Sequence, residues 1–278
     1  MTNTAAARTT TIEATYNCQV TNIKPLSEAT FEVELSSPRE LTLDYRAGQY
    51  LQLKLDVYGD GQEHSLSYSI ANSFDPEVPR RLQLFVQNHN PFANRILLQL
   101  QVLKRSNEAV RVKLPMGKAF LQTSLELPHL LVAAGSGISK IKCLTEEILK
   151  QKPNTKTNIY WSNRNVNEFY LLDQFKNWAE QHRNLAFTPV LEAENVSWLG
   201  RSGYLFQVIG KDTTDLSDTK AYLCGSPRMV YGTIDELQGK GLKKQNCYSD
   251  VFEYSPRRTK RKPRSIVSIA QPALPKVS

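Results

Sequence analysis

The stretch Leu131-Val132-Ala133-Ala134-Gly135-Ser136-Gly137-Ile138 constrains this chain more than any other. An apolar strand runs into a glycine turn, and glycine permits the tight reversal that such a turn needs. Apolar side chains then recur at Ile138, Ile141, Leu144 and Ile148, three to four residues apart, so the turn opens a helix with one apolar face. A junction of this kind aims backbone N–H groups and the positive end of the helix dipole at whatever lies above it, most often a phosphate. The spacing is Gly-x-Gly, short of the full Gly-x-Gly-x-x-Gly dinucleotide fingerprint, and βα turns use glycine for steric reasons alone. The junction predicts a βα unit; a phosphate site needs support from elsewhere in the chain.

The rhythm of the sequence changes about halfway. Thr30 to Leu35, Tyr50 to Leu55, Arg81 to Val86 and Val110 to Leu114 alternate apolar and polar residues, separated by turn clusters such as Tyr58-Gly59-Asp60-Gly61 and Asn72-Ser73-Phe74-Asp75-Pro76. Short alternating strands of this sort predict a small antiparallel barrel, interrupted by a short helix over Pro91 to Leu100. Beyond Thr123 to Pro128, strand-like runs at Leu130 to Ala133, Asn158 to Trp161, Ala186 to Val190 and Ala221 to Cys224 alternate with helical patterns. The helices expected are Ile138 to Lys150, Asn167 to Gln181, in which Phe169, Leu172, Phe175, Trp178 and Ala179 share a face, and Pro227 to Gln238. A β-α-β-α series predicts a mainly parallel sheet with helices on both sides.

Bulk properties narrow the class. With 278 residues, 40% hydrophobic and 22% charged, the chain reads as globular, and no run approaches the roughly 18 to 20 apolar residues of a membrane span. Met1 to Thr11 has neither the apolar core of a secretory signal nor a transit-peptide pattern, so a cytoplasmic protein is expected. Cys18, Cys143, Cys224 and Cys247 are far apart and fit no disulfide framework or iron–sulfur spacing. His64, His89, His129 and His182 are equally scattered, and no metal site is expected. Of the formal net charge of +8, seven positive charges fall between Ser255 and Ser278, leaving +1 for the rest. That basicity belongs to a solvated, disordered tail; contact with nucleic acid, an acidic partner or an anionic surface through Arg257 to Arg264 is the weaker reading.

Four segments carry chemistry, in chain order: Ser67-Tyr68-Ser69-Ile70-Ala71-Asn72; Leu114-Pro115-Met116-Gly117-Lys118-Ala119-Phe120; the glycine junction; and Tyr222-Leu223-Cys224-Gly225-Ser226-Pro227-Arg228-Met229. Over Cys18 to Tyr254 this succession resembles the ferredoxin–NADP⁺ reductase superfamily and looks closest to its NAD(P)H-flavin oxidoreductases, which lack an iron–sulfur domain. Arg46-Ala47-Gly48-Gln49-Tyr50-Leu51 is similar to the opening strand of that family's barrel. The resemblance implies a six-stranded antiparallel flavin-binding β-barrel over 13–125 and a parallel-sheet NAD(P)H-binding α/β domain over 126–254. Residues 1–12 would be a disordered N-terminus and 255–278 the basic tail.

The resemblance also implies roles. Tyr68 would lie flat against the isoalloxazine of FAD or FMN, with Ser69 near the flavin N5 that receives hydride, and Ser67, Ile70, Asn72 and Gly117 beside them. Gly135, Ser136 and Gly137 would hold the pyrophosphate of NAD(P)H. Cys224 would abut the nicotinamide as a contact and not as a nucleophile, with Gly225 and Pro227 following it. Arg164 would approach the adenosine end, and Phe252, in Asp250-Val251-Phe252, the flavin. The residues alone leave other readings open: Tyr68 and Phe252 as core, Cys224 as a small buried hydrophobe, Arg164 as a surface residue.

One position departs from the family. Its flavin motif is Arg-x-Tyr-Ser, whose arginine grips a flavin phosphate; here that position is Leu66, and Gln87 stands where a basic residue is frequent. Compensation by His64, Arg80, Arg81 or Lys118 is the alternative to loose binding. The leading expectation is a reductase that moves hydride from NAD(P)H to a loosely held, diffusible flavin. Behind it stand an FAD-bearing reductase component serving an oxygenase or iron–sulfur partner, and a non-enzymatic binding or scaffold protein with a degenerate flavin site.

Overall fold

The computed structural model describes residues 13–195 and 198–257. The expected disordered N-terminus, and all of the basic tail beyond Arg257, lie outside these residues.

Six strands make the first sheet: β1 (Ala14–Pro25), β2 (Thr30–Ser36), β3 (Tyr50–Asp56), β4 (Glu63–Ser69), β5 (Arg81–Gln87) and β6 (Ala109–Met116), in the spatial order β4-β3-β6-β1-β2-β5 and antiparallel throughout. Each strand turns alternate side chains inward, among them Val33 and Leu35, Leu51 and Leu53, Leu82 and Leu84, Val112 and Leu114, and these fill one core. The sheet curls until its edges meet just beyond β4, where the Ala71 N–H donates to the Gln83 carbonyl at 2.8 Å. Across one end lies α1 (Pro91–Ser106), started by the Asn90 side chain, which accepts from the Ala93 N–H, and ended by Asn107 in a left-handed conformation. The helix is longer than the sequence pattern predicts. Its buried Ile96, Leu97, Leu100 and Leu103 hold it on the barrel past Leu100.

The second sheet is parallel: β7 (His129–Ala134), β8 (Thr157–Asn163), β9 (Leu185–Leu191), β10 (Arg201–Ser202), β11 (Lys220–Cys224) and β12 (Cys247–Tyr248), ordered β10-β9-β8-β7-β11-β12. Alternate residues of β7 serve opposite layers, which is why its sequence is apolar without a break. Leu131 and Ala133 pack with α2 (Ile138–Gln151) and α3 (Leu172–Gln181). Leu130 and Val132 pack with α4 (Leu205–Asp212) and α5 (Pro227–Leu237). A last helical turn, α6 (Val251–Tyr254), closes the described chain. None of these helices is long and apolar enough to cross a membrane.

Three expectations need correction. The helix expected from Asn167 does not form there: the Asn165 side chain captures the Asn167 N–H, Val166–Glu168 make one 3₁₀ turn, and α3 starts at Leu172. Phe169 therefore leaves the shared helical face and packs edge-on against Trp161, 5.1 Å between centroids. In Arg46–Leu51 only Tyr50 and Leu51 are strand; Gly48 turns at φ +98°, and a Cβ there would lie 2.8 Å from the Ala119 carbonyl. Finally, Ser255–Arg257 belong to the fold and not to a free tail: Tyr231 donates to the Ser255 carbonyl at 2.8 Å, and Arg257 lies over the Tyr231 ring and pairs with Asp235.

Candidate active site

From β7 the chain steps outward to β8, β9 and β10, then returns to lay β11 along the other flank of β7. That reversal opens a crevice above the carboxyl ends of β7 and β11, the place where open α/β sheets take ligands. Gly135 leaves β7 at φ +54°, a left-handed conformation suited to glycine, and Gly135–Gly137 form a 3₁₀ turn running directly into α2. No side chain caps either start; the Ile138 N–H is taken by the Gly135 carbonyl, and the N–H groups of the turn itself have no side-chain cap. Trp161 Nε1 donates to the Gly135 carbonyl at 2.9 Å and fixes the turn from β8. Gly137 lies against β11 so closely that a Cβ would come within 2.4 Å of the Cys224 carbonyl oxygen.

Across from this turn, β4 delivers Ser67, Tyr68 and Ser69, and β5 delivers Phe85 and Gln87, to the same cavity of about 480 Å³. Ser136, Gly137, Lys140, Cys224, Gly225 and Ser226 line it from the α/β side, and Asp250, Val251 and Tyr254 from the C-terminal segment. The Ser69 and Ser136 hydroxyls bond no group among the described residues, so both are free to meet a ligand. Burial pushes the Cys224 thiol up to about 12, so it is a neutral contact surface near pH 7. Burial likewise pushes the Tyr68 phenol up to about 12, leaving a neutral aromatic wall.

Seven of the residues singled out from sequence thus meet at one cavity: Ser67, Tyr68, Ser69, Ser136, Gly137, Cys224 and Gly225, with Gly135 shaping the turn behind them. Six others lie off its lining. Ile70 is fully buried in the barrel core. Asn72 spends its amide inside the protein, donating to Tyr45 Oη and accepting the Gln83 N–H, each at 2.8 Å. Gly117 lies under the Tyr50 ring, which a Cβ would approach to 2.8 Å. Pro227 begins α5, and it is the capping Ser226 that faces the cavity. Arg164 is 88% exposed and pairs with Glu192 at 3.0 Å. Phe252 packs toward Tyr231, 5.8 Å between centroids, while Tyr254, two residues on, lines the cavity.

Sequence reasoning missed Lys140 and Asp250 as a pair. A lysine in an amphipathic helix reads as solvated face, yet this side chain is 2% exposed and bound to Asp250. The signal was present in the spacing, since Lys140 follows Gly137 by three residues and so continues the face that looks at β11. None of the expected substitutes for the missing arginine lines the cavity. Arg81 pairs with Glu34, Arg80 donates to the Ser37 carbonyl at 3.2 Å, and the His64 ring packs against Tyr58 and Phe92. Leu66 itself packs on the barrel core.

A family described as "Oxidoreductase NAD-binding domain" matches residues 131–234, from within β7 to within α5. A CDP-6-deoxy-L-threo-D-glycero-4-hexulose-3-dehydrase reductase of Yersinia pestis is 29% identical over 240 residues, 86% of this chain and 69% of that protein. An NAD(P)H-flavin reductase of Vibrio harveyi is 25% identical over 242 residues, 86% of this chain and 99% of that protein. Among solved structures, a cytochrome P450 reductase from Amycolatopsis shares the fold with a TM-score of 0.73 at 21% identity, covering 87% of this chain and 71% of that one. A curled antiparallel sheet leading into a parallel sheet of this strand order, with an oxidoreductase NAD-binding domain matched at the glycine turn, gives the chain the two-domain fold of the ferredoxin–NADP⁺ reductases.

Proposed function

We propose that the chain is an NAD(P)H-dependent flavin reductase that takes its flavin as a diffusible substrate. The observation that carries this reading is the shared cavity, in which the end of β4 meets the Gly137–Cys224 contact. The residues fit both ring systems and one pyrophosphate. Tyr68 and Phe85 offer flat apolar faces, and the uncapped Gly135–Gly137 turn before α2 offers N–H donors to an anion. They do not fit a firmly held flavin phosphate. Among the described residues the barrel side of the cavity is Ser67, Tyr68, Ser69, Phe85, Gln87, His89 and Ala93, with no lysine or arginine.

When both are bound, NAD(P)H supplies the hydride and the flavin ring accepts it. The protein's share is orientation. Gly137 lets the turn approach Cys224, and the neutral thiol gives a nicotinamide a surface without a competing charge. Ser69, with its hydroxyl unspent, is small enough to let two rings close while donating one hydrogen bond, and alignment of this kind is worth orders of magnitude in rate.

Purification tests the reading. A colourless protein that oxidises NAD(P)H only when riboflavin, FMN or FAD is added is the expected result. A yellow protein holding stoichiometric FAD overturns it in favour of a reductase component that passes electrons to a partner protein. That second reading is supported by the names of the Yersinia and Amycolatopsis relatives. A protein that neither binds nor oxidises NAD(P)H is a binding or scaffold protein.

A further inference from the structure

Among the described residues Lys140 is the one lysine on the cavity lining, and it is buried to 2% exposure. Taking an ammonium out of water is costly, and an apolar side chain of similar length would pack α2 at lower cost, so a charge retained here calls for a use. Its Nζ donates to Asp250 Oδ2 at 2.5 Å and makes a long contact of 3.4 Å with the Ala119 carbonyl. Three N–H donors thus meet two acceptors, and Asp250 Oδ1 is enclosed without any partner. The pair joins three separate pieces of chain: α2, the turn after β12, and the barrel loop around Ala119. One further stitch lies beside it, the Glu253 carboxylate accepting the Lys118 N–H at 2.8 Å.

We propose that Lys140 is a positioning residue: by holding one oxygen of Asp250 it fixes that carboxylate, and the Asp250–Tyr254 chain with it, as a wall of the cavity shared by Ser69 and Cys224. The role rests on the flavin-reductase reading above. It also makes Lys140 the countercharge for Asp250. The titratable groups around that carboxylate include Lys140 from α2, Cys224 from β11, Tyr50 from β3 and Tyr254 from its own turn, and Lys140 is the cation paired with it. Without it Asp250 becomes a half-buried carboxylate that has lost its ion partner.

The test uses the full chain with NAD(P)H and riboflavin, in Lys140→Met, Lys140→Arg, Asp250→Asn and the double variant Lys140→Met/Asp250→Asn. Lys140→Met is expected to lose about tenfold or more in kcat while KM for NAD(P)H moves less than about threefold, and Lys140→Arg to recover most of the loss. The double variant is expected not to regain the wild-type kcat. Urea unfolding reads the pair without reference to activity: the double variant is expected to unfold at higher urea than Lys140→Met, because no unpaired charge is left buried. If Lys140→Met does not fold, the double variant carries the test. A wild-type kcat in Lys140→Met or in the double variant overturns the proposal. A wild-type protein inactive with every flavin overturns the function beneath it, while the urea comparison still reports on the pair.

Discussion

Two cavities flank α2, and the larger one is not the candidate site. The cavity of about 660 Å³ between α2, α3 and the barrel is lined among others by Arg81, Lys142, Glu146 and Lys150, and these four are already spent on neighbours. Lys142 Nζ donates to the Ala71 carbonyl at 3.1 Å, Gln83 Oε1 at 2.8 Å and Glu146 Oε1 at 2.6 Å, so all three of its donors are used. Glu146 in turn accepts the Ser73 N–H at 2.9 Å. In the smaller cavity the helix start is uncapped, the Ser69 and Ser136 hydroxyls are unspent, and Lys140 shares its charge with a carboxylate that has one oxygen idle. Two buried lysines, two residues apart on one helix, therefore do different work: Lys142 staples the two sheets together, and Lys140 serves a cleft. Polar groups left unsatisfied, more than volume, separate a binding cleft from a seam between layers.

The sharpest way to break this comparison is to remove the staple. Lys142→Met strands the partly buried Glu146 and frees two buried acceptors, and losing one partner of a buried pair costs roughly 3–5 kcal/mol. A large fall in the urea midpoint is expected, with kcat per folded molecule unchanged; an altered kcat at unchanged stability would reverse the roles assigned to the two lysines. Ser69→Ala tests the other cavity. A loss of about tenfold in flavin reduction, or about 1.4 kcal/mol of barrier, is expected with no shift in Tm. An unchanged rate would take Ser69 out of the site.

A smaller effect tests how the cleft grips flavin. A hydrogen bond to a charged phosphate contributes about 1.5–3 kcal/mol, so a protein with such an anchor prefers FMN to riboflavin by tenfold or more. With Leu66 in the barrel core and no lysine or arginine on that side of the lining, the two flavins are expected to differ by less than about threefold in kcat/KM. A strong preference for FMN would mean that a cation outside the described lining reaches the phosphate.

The α/β half was legible because its signals are local. The apolar run of β7, the glycines after it and the period of α2 each follow from short-range geometry, and all four apolar positions, Ile138, Ile141, Leu144 and Ile148, are buried as the spacing predicts. The missed elements depend on distant partners. Strand β1 is the exception: Ala14, Tyr16, Cys18 and Val20 turn inward and alternate with polar residues, a pattern legible in the sequence, and pairing with β2 and β6 on its two sides holds it in place. Helix α3 starts late because Asn165 and the aromatic cluster around Trp161 outweigh a helical pattern in Asn167–Phe169. The same limit hid the Lys140–Asp250 pair, whose members are 110 positions apart and meet only when β12 lies beside β11.

The cysteines supply a check on how the cleft is solvated. Burial raises Cys18, Cys143, Cys224 and Cys247 from 9.0 to about 12. A group whose folded pKa lies above its unfolded value contributes stability that is complete below the unfolded pKa and lost as pH rises toward the folded one. Unfolding free energy is therefore expected to be insensitive to thiol ionisation up to about pH 8 and to fall between about pH 9 and 12. For Cys224 the same shift has a kinetic reading. Between about pH 7 and 9 the thiol keeps its proton, so kcat should show no ionisation from it, and iodoacetamide should modify native protein far more slowly than urea-unfolded protein. Rapid inactivation at Cys224 that NAD(P)H prevents would mean that the thiol ionises in the open cleft. Lys140, the nearby cation that opposes the burial effect, would then be steering its charge toward Cys224 as well as Asp250.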